Sequence, residues 1–336
     1  MSGARVAIAR GGTSIEREVS LRGARRVSAA LRQAGHEVSE LEIDHTVIER
    51  VRRLAPDYVF IVAHGLSGED GSLQALLELL GVAYTGSDSL ASALCLDKIL
   101  AKQTLRRAGL PTPSFHPFSR RTFQELGAAA AFDEVLARLG APLVVKPARL
   151  GSSFGIKYVA RPEGLRTAVL GAVAYDDEIL VERHVRGREL AVTVLGGPKD
   201  SDPCPPPDAG PAAGYEALPI VEILSSAELY DYEAHYDFDV VRLDAPAVLT
   251  DAERVAVEQV ALGACRALGT RDVARVDLIL EDPDPARPDA PPRPQILEVN
   301  TIPGLTETGP TPLAAEAAGL GFAGLVKRIA ARAAAL

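Results

Sequence analysis

A chain of 336 residues, 47% hydrophobic and 24% charged, has room for two or three domains with sizeable cores. A formal charge of −9 argues against a nucleic-acid or anionic-membrane partner, and no apolar run approaches the length of a membrane span. Cys95, Cys204 and Cys265 lie far apart with no CxxC, so neither a zinc knuckle nor a disulfide framework is indicated.

The chain goes directly into a strand-like RVAIA (5–9) with no apolar leader before it, which predicts a cytoplasmic protein. After the turn RGGTS, Val19, Gly23, Val27 and Leu31 recur at helical spacing until Gly35. HEVSELEI and DYVFIVAHG read as strands, and SLQALLELL as a helix. This alternation predicts a parallel α/β domain over 1–96. RGGTSIERE and AHGLSGEDG then fall at strand carboxyl ends, where such sheets collect ligands.

From residue 97 the pattern changes. DKILAKQTLRRAG is helical, PTP breaks it, and LVVKPARLGSSFGIKYV gives two strands joined by a Gly/Ser turn. EILVERHV, RELAVTVLG, PIVEIL, ARVDLIL and QILEVN are further strands, with a long helix over TDAERVAVEQVALGACRALG. Two α+β domains with antiparallel sheets are expected, at 97–188 and 189–336. The Pro- and Asp-rich stretches 197–214 and 281–294 read as solvent loops. The second joins DLIL to ILEV, which makes these strands neighbours in an antiparallel pair.

Residues two apart on a strand share a face, so Glu298 and Asn300 project together, as do Arg275 and Asp277. Three oxygens from Asp277, Glu298 and Asn300 suit Mg²⁺, with room for water and phosphate. The plainer alternative is a buried Arg–carboxylate cluster tying two strands. Only six residues are lysine (Lys98, Lys102, Lys146, Lys157, Lys199 and Lys327), so a motif lysine stands out against an arginine-rich background. Lys98 and Lys146, with the turn LGSSFGIKY, are candidate phosphate contacts. Neither GxxxxGK[ST] nor GxGxxG occurs, which weighs against P-loop and Rossmann chemistry. On spacing alone Glu182 and Glu189 are ordinary surface acids, and Glu16 is a helix-start carboxylate. His64 either binds ligand or caps a turn.

Taken in order, GGTSIEREVSL, HGLSGEDGSLQALLELLGVAYTGS, SLASALCLDKILAK, VVKPARLGSSFGI, YDYEAHY, ARVDLIL and ILEVNTIPG resemble the D-alanine–D-alanine ligases of the ATP-grasp superfamily. The resemblance runs nearly end to end. It implies an ATP-grasp architecture, α/β and α+β in class, with an N-terminal parallel domain followed by two α+β domains. It implies ATP as co-substrate and two Mg²⁺ ions, replaceable by Mn²⁺, in a cytoplasmic homodimer that takes small amino-acid substrates. By motif position Lys98, Lys146 and Ser153 would face phosphates, and Glu182, Val185 and Glu189 adenine and ribose. Asp277, Glu298 and Asn300 would bind the metal. Glu16 would take the ammonium of the first D-amino acid, linked to Ser152 and Tyr236, while His64 lines that site. Arg275 and the Gly304 N–H would form an oxyanion hole.

Two positions depart from the family pattern. His235 replaces the usual lysine of YDYxxKY, and Gly309-Pro310 replaces a Ser-Leu whose hydroxyl binds the second carboxylate. Gly309 has no hydroxyl to give and Pro310 no N–H. The leading reading is ATP-dependent D-alanyl-D-alanine synthesis for peptidoglycan. Its rivals are a divergent paralogue with another acceptor and a non-catalytic nucleotide-binding module.

Overall fold

The computed structural model describes residues 3–121, 125, 128–151, 154–197, 214–225, 241–287 and 290–333. The first sheet is parallel in the order β2-β1-β3, from β1 (Arg5–Arg10), β2 (Glu37–Glu42) and β3 (Tyr58–Ile61). The connections are α1 (Arg17–Gln33) and α2 (Val47–Leu54), and α3 (Ser72–Leu80) follows β3. The buried stripe of α1 is Ser20, Gly23, Ala24, Val27, Ser28 and Leu31, the i, i+3, i+4 pattern of an amphipathic helix. Gly23 permits close packing, since a Cβ there would stand 3.0 Å from Val62 Cγ1.

Two short helices lead out of this unit, α4 (Ser89–Leu96) and α5 (Lys98–Arg107). Asp97 caps α5 by accepting from the N–H groups of Ile99 and Leu100, each at 3.0 Å. A second, antiparallel sheet runs β4-β7-β5-β6, from β4 (Phe115–Ser119), β5 (Leu143–Pro147), β6 (Lys157–Val159) and β7 (Glu178–Arg183). It is backed by α6 (Ala128–Leu139) and α7 (Leu165–Val173).

The third sheet is also antiparallel. It has β8 (Gly187–Gly196), β9 (Tyr215–Ala217), β10 (Val221–Ser225), β11 (Val241–Asp244), β12 (Asp272–Glu281) and β13 (Pro294–Asn300). Their order is β11-β10-β8-β12-β13, with β9 on β8. One face packs on α8 (Asp251–Leu268), which starts with a Thr250–Glu253 capping box, and on residues of α4 and α5. The other face joins α9 (Pro310–Ala317) and α10 (Gly321–Ala333) to α1 and the first sheet in one core. Among the described residues no helix is long and apolar enough to cross a membrane.

One irregularity positions the functional face. Asp277 pairs with Glu298 but Leu278 pairs with Ile296, so Leu297 is an extra residue, a β-bulge. Strict alternation would put Ile296 and Glu298 on the same side. The bulge instead leaves Ile296 in the core against α8 while Leu297 and Glu298 line the cleft.

Candidate active site

All three sheets contribute to a cavity of about 960 Å³. Glu16 and His64 reach it from the ends of the parallel sheet. Lys98, Lys146, Glu182 and Val185 come from α5 and the second sheet. Glu189, Arg275, Asp277, Glu298, Asn300 and Gly304 come from the third sheet and the turn after it. Of the candidate residues within the described part, only Gly309 is absent from the wall, and its neighbours Thr308 and Pro310 line it. Ser152, Ser153, His235 and Tyr236 lie outside the described residues.

The floor of the cavity is an alternation of charges. Arg275 donates two hydrogen bonds to Asp277, both at 2.7 Å, and directly opposite Asp277 across β12 and β13 stands Glu298. Lys98 Nζ lies 3.1 Å from Glu298 Oε2 and donates to the Leu150 carbonyl at 2.8 Å. Lys98 therefore ties β13 to the start of the Gly/Ser turn. The Asn300 side-chain oxygen accepts from the Ile302 N–H at 2.8 Å, which fixes its rotamer. The Arg–carboxylate pair of the plainer alternative is present, and Asp277, Glu298 and Asn300 all line the cleft. Asp277, Glu298 and Asn300 are hard oxygen donors converging on the cleft, a set that suits Mg²⁺.

Glu182 is not the surface acid its spacing implied. It is 3% exposed, with Lys146 Nζ at 2.5 Å from one oxygen and Lys102 Nζ at 2.9 Å from the other. Burial raises the pKa of its carboxyl, but the two ammonium groups outweigh this and hold it below the usual range. Glu189 is also largely enclosed. Burial, together with the nearby Asp277 and Glu298 carboxylates, pushes it up to about 7.

On the opposite wall Glu16 is the N-cap of α1 rather than a member of its first turn, which Glu18 occupies. A Cβ at Gly151 would stand 2.9 Å from Glu16 Oε2, so glycine lets the backbone of the Gly/Ser turn come close to this carboxylate. His64 is buried at 4% exposure, with Nδ1 3.6 Å from Glu69 Oε1, and its Nε2 has no hydrogen-bond partner among the described residues. Burial disfavours the imidazolium, yet Glu69 and Glu16 more than compensate and raise its pKa. The buried, cavity-lining position favours a ligand-facing role over a turn cap. The loop after β13 is held to α1, where Arg26 donates to the Leu305 carbonyl at 2.8 Å and Arg22 pairs with Glu307 at 3.0 Å.

Sequence reasoning missed Lys102 and Glu69. Lys102 had a signal: it is one of six lysines and stands four residues from Lys98, on the same helical face. Glu69, within GEDG, had none that separates it from a solvated turn acid.

Two family descriptions match this chain: "D-ala D-ala ligase N-terminus" over residues 45–87 and "D-ala D-ala ligase C-terminus" over residues 104–331. A D-alanine--D-alanine ligase from Desulforudis audaxviator is 41% identical over 326 residues, covering 97% of each chain. Among solved structures, the D-alanine--D-alanine ligase of Bacillus anthracis complexed with ATP superposes with a TM-score of 0.78 at 27% identity, covering 98% of this chain and 97% of that one. The VanG D-Ala:D-Ser ligase of Enterococcus faecalis also gives a TM-score of 0.78 at 27% identity, covering 98% and 99%.

Proposed function

This chain belongs to the D-alanine–D-alanine ligase family, and from that premise we propose how its cleft performs the reaction. It is an ATP-dependent, ADP-forming carboxylate–amine ligase that joins two D-alanines for peptidoglycan. The observation that carries the residue assignments is the single charged floor, where Lys98, Lys146 and Arg275 alternate with Asp277, Glu298 and Asn300.

ATP lies between the second and third sheets, its phosphates toward Lys98, Lys146 and the Gly/Ser turn with Ser153. The base and sugar run past Val185 toward Glu182 and Glu189. Asp277, Glu298 and Asn300 would hold Mg²⁺, which when bound would neutralise charge on the transferring phosphoryl group. Arg275 is paired with Asp277 at the edge of this set.

Glu16 receives the ammonium of the first D-alanine, with Ser152 and Tyr236 completing the contact, and His64 Nε2 supplies a buried polar atom beside it. A carboxylate oxygen of this D-alanine attacks the γ-phosphorus, the bond to the bridging oxygen breaks, and ADP departs. The amine of the second D-alanine then attacks the acyl phosphate. The oxyanion of the tetrahedral intermediate is met by Arg275 and the Gly304 N–H. Collapse expels phosphate and leaves the dipeptide, with one proton released from the amine. A cytoplasmic homodimer is part of the same proposal, and sedimentation of the purified protein tests the dimer.

The test of the function is phosphate release with D-alanine fixed as donor and a panel of amines as acceptors. Release with D-alanine alone, matched by D-alanyl-D-alanine, is the expected result. Stimulation only by another amine would replace the acceptor and keep the ligase chemistry.

A further inference from the structure

The most completely buried charge in the described structure belongs to none of the roles above. Lys102, on α5, is 1% exposed, yet its ammonium reaches three different elements. It lies 2.9 Å from Glu182 Oε2 on β7, donates to Thr112 Oγ1 at 2.6 Å, and donates to the Ile296 carbonyl on β13 at 3.3 Å. Burying an ammonium is unfavourable unless it is compensated, and here two hydrogen bonds and the charge of Glu182 do so.

We infer that Lys102 is a positioning residue for the nucleotide site, fixing Glu182 and the bulged backbone of β13 and through them aiming Lys146 and Glu298 into the cleft. This inference rests on the ATP-site reading given above. Two connections support it. Glu182 stands between two lysines, one on each carboxylate oxygen, so the Lys146 side chain is held by an anion that Lys102 itself holds. Without Lys102, one oxygen of Glu182 is left buried and uncompensated, and the carboxylate is free to turn toward Lys146.

The second connection is the bulge. Ile296 is the residue just before Leu297, where the β12–β13 ladder breaks register. Its N–H donates to the Pro111 carbonyl at 3.0 Å, and its carbonyl accepts from Thr112 Oγ1 at 2.8 Å and from Lys102. The polar groups at the break are thus met by the segment following α5 and by Lys102. That satisfaction keeps Glu298 turned toward Asp277 and Lys98, so one lysine sets both carboxylate walls of the nucleotide site.

Lys102→Met keeps an unbranched side chain one heavy atom shorter and removes the charge. Thr112→Val removes one hydroxyl and keeps the lysine. The readout is the Kd for a non-hydrolysable ATP analogue with Mg²⁺, measured calorimetrically, beside the KM of the donor D-alanine and the thermal midpoint. Lys102→Met is expected to weaken the analogue about tenfold or more, since small misplacements of positioned groups cost at least that. Thr112→Val, which removes the hydroxyl that accepts from Lys102 and donates to the Ile296 carbonyl, is expected to weaken it by about threefold or more. Donor KM is expected to stay within about twofold in both, because no substrate-wide distortion is invoked. A purely structural lysine would lower the midpoint and leave the Kd alone. If Lys102→Met does not fold, Thr112→Val decides. Wild-type affinity in every soluble variant overturns the inference, whereas failure of the wild type itself to bind the analogue overturns the ATP-site reading.

Discussion

Asp277 and Glu298 face one another directly across β12 and β13, yet their surroundings drive the two carboxyls apart in acidity. Burial raises both. For Glu298 the Lys98 ammonium at 3.1 Å, with Lys146 and Arg275, reverses this and pulls it down to about 2. For Asp277 burial and the facing Glu298 prevail over Arg275, and it rises. Like charges set opposite each other across a strand pair persist only where cations are shared between them.

The metal assignment makes a direct prediction. Asp277→Asn and Glu298→Gln each retain shape and lose a charged oxygen. Turnover in Mg²⁺ is expected to fall by about a hundredfold or more in each, the loss of a few kcal/mol of charge stabilisation. Circular dichroism is expected to be unaltered. Phosphate release across a Mg²⁺ titration measures this, and wild-type rates in both variants would remove the assignment.

His64 predicts a pH-dependent stability. Its folded pKa is raised above the ordinary 6.5 despite burial, because Glu69 and Glu16 favour the cation. The imidazolium therefore contributes stability that is fully present below about pH 6.5 and is lost as pH rises through the raised value. Thermal midpoints of the wild type and His64→Asn are expected to differ most near about pH 5.5 and to converge by about pH 9. A gap that stays constant over that range would deny the linkage.

These two sites also mark what the sequence discloses. The alternation in ARVDLIL and the helical spacing of Val19, Gly23, Val27 and Leu31 are local, and a period is enough to read them. The pairing of β12 with β13 was legible because one loop joins them. What could not be read depends on contacts between elements. Strict alternation puts Ile296 beside Glu298, and only the bulge at Leu297, held by Thr112 and Lys102 from 184 and 194 residues away, separates core from cleft. Glu182 sits in a run of charges, VERHVRGRE, that looks solvated until α5 brings Lys102 beneath it.

Glu189 opposes stability to function. Burial and the neighbouring Asp277 and Glu298 raise it from 4.5 to about 7. A carboxyl raised in this way gives stability that is present in full below its unfolded value and is lost as pH climbs through about 7. Above that, the ionised group costs the nucleotide-free protein roughly 1–3 kcal/mol, discounted for its partial exposure. Glu189→Gln is expected to melt higher than the wild type at about pH 8, with little difference at about pH 4.5. It is also expected to bind ATP about tenfold more weakly, through loss of a charge-assisted acceptor for the ribose. Scanning calorimetry at the two pH values, with a nucleotide titration, tests both halves. A variant that melts lower at both would refute the electrostatic account.

The acceptor side turns on Gly309, the N-cap of α9, which makes no side-chain cap and is followed by Pro310. A hydroxyl is missing where the family pattern carries one. The space for it is tight: a Cβ at this position would stand 3.1 Å from the Gly304 carbonyl and 3.6 Å from Thr306 Oγ1. A serine therefore asks the loop to move by a few tenths of an ångström, and that loop is tied to α1 through Arg26 and Leu305. The gain, a hydroxyl donor to the acceptor carboxylate, is worth about 1.5–3 kcal/mol if the loop gives way. Gly309→Ser is accordingly expected to lower the acceptor KM for D-alanine by about tenfold, with donor KM unchanged. Steady-state kinetics fitted for two D-alanine sites separate the terms. An unchanged acceptor KM, with the protein folded, would mean that the second carboxylate is held elsewhere on this wall, with Thr308 the nearest hydroxyl lining the cavity.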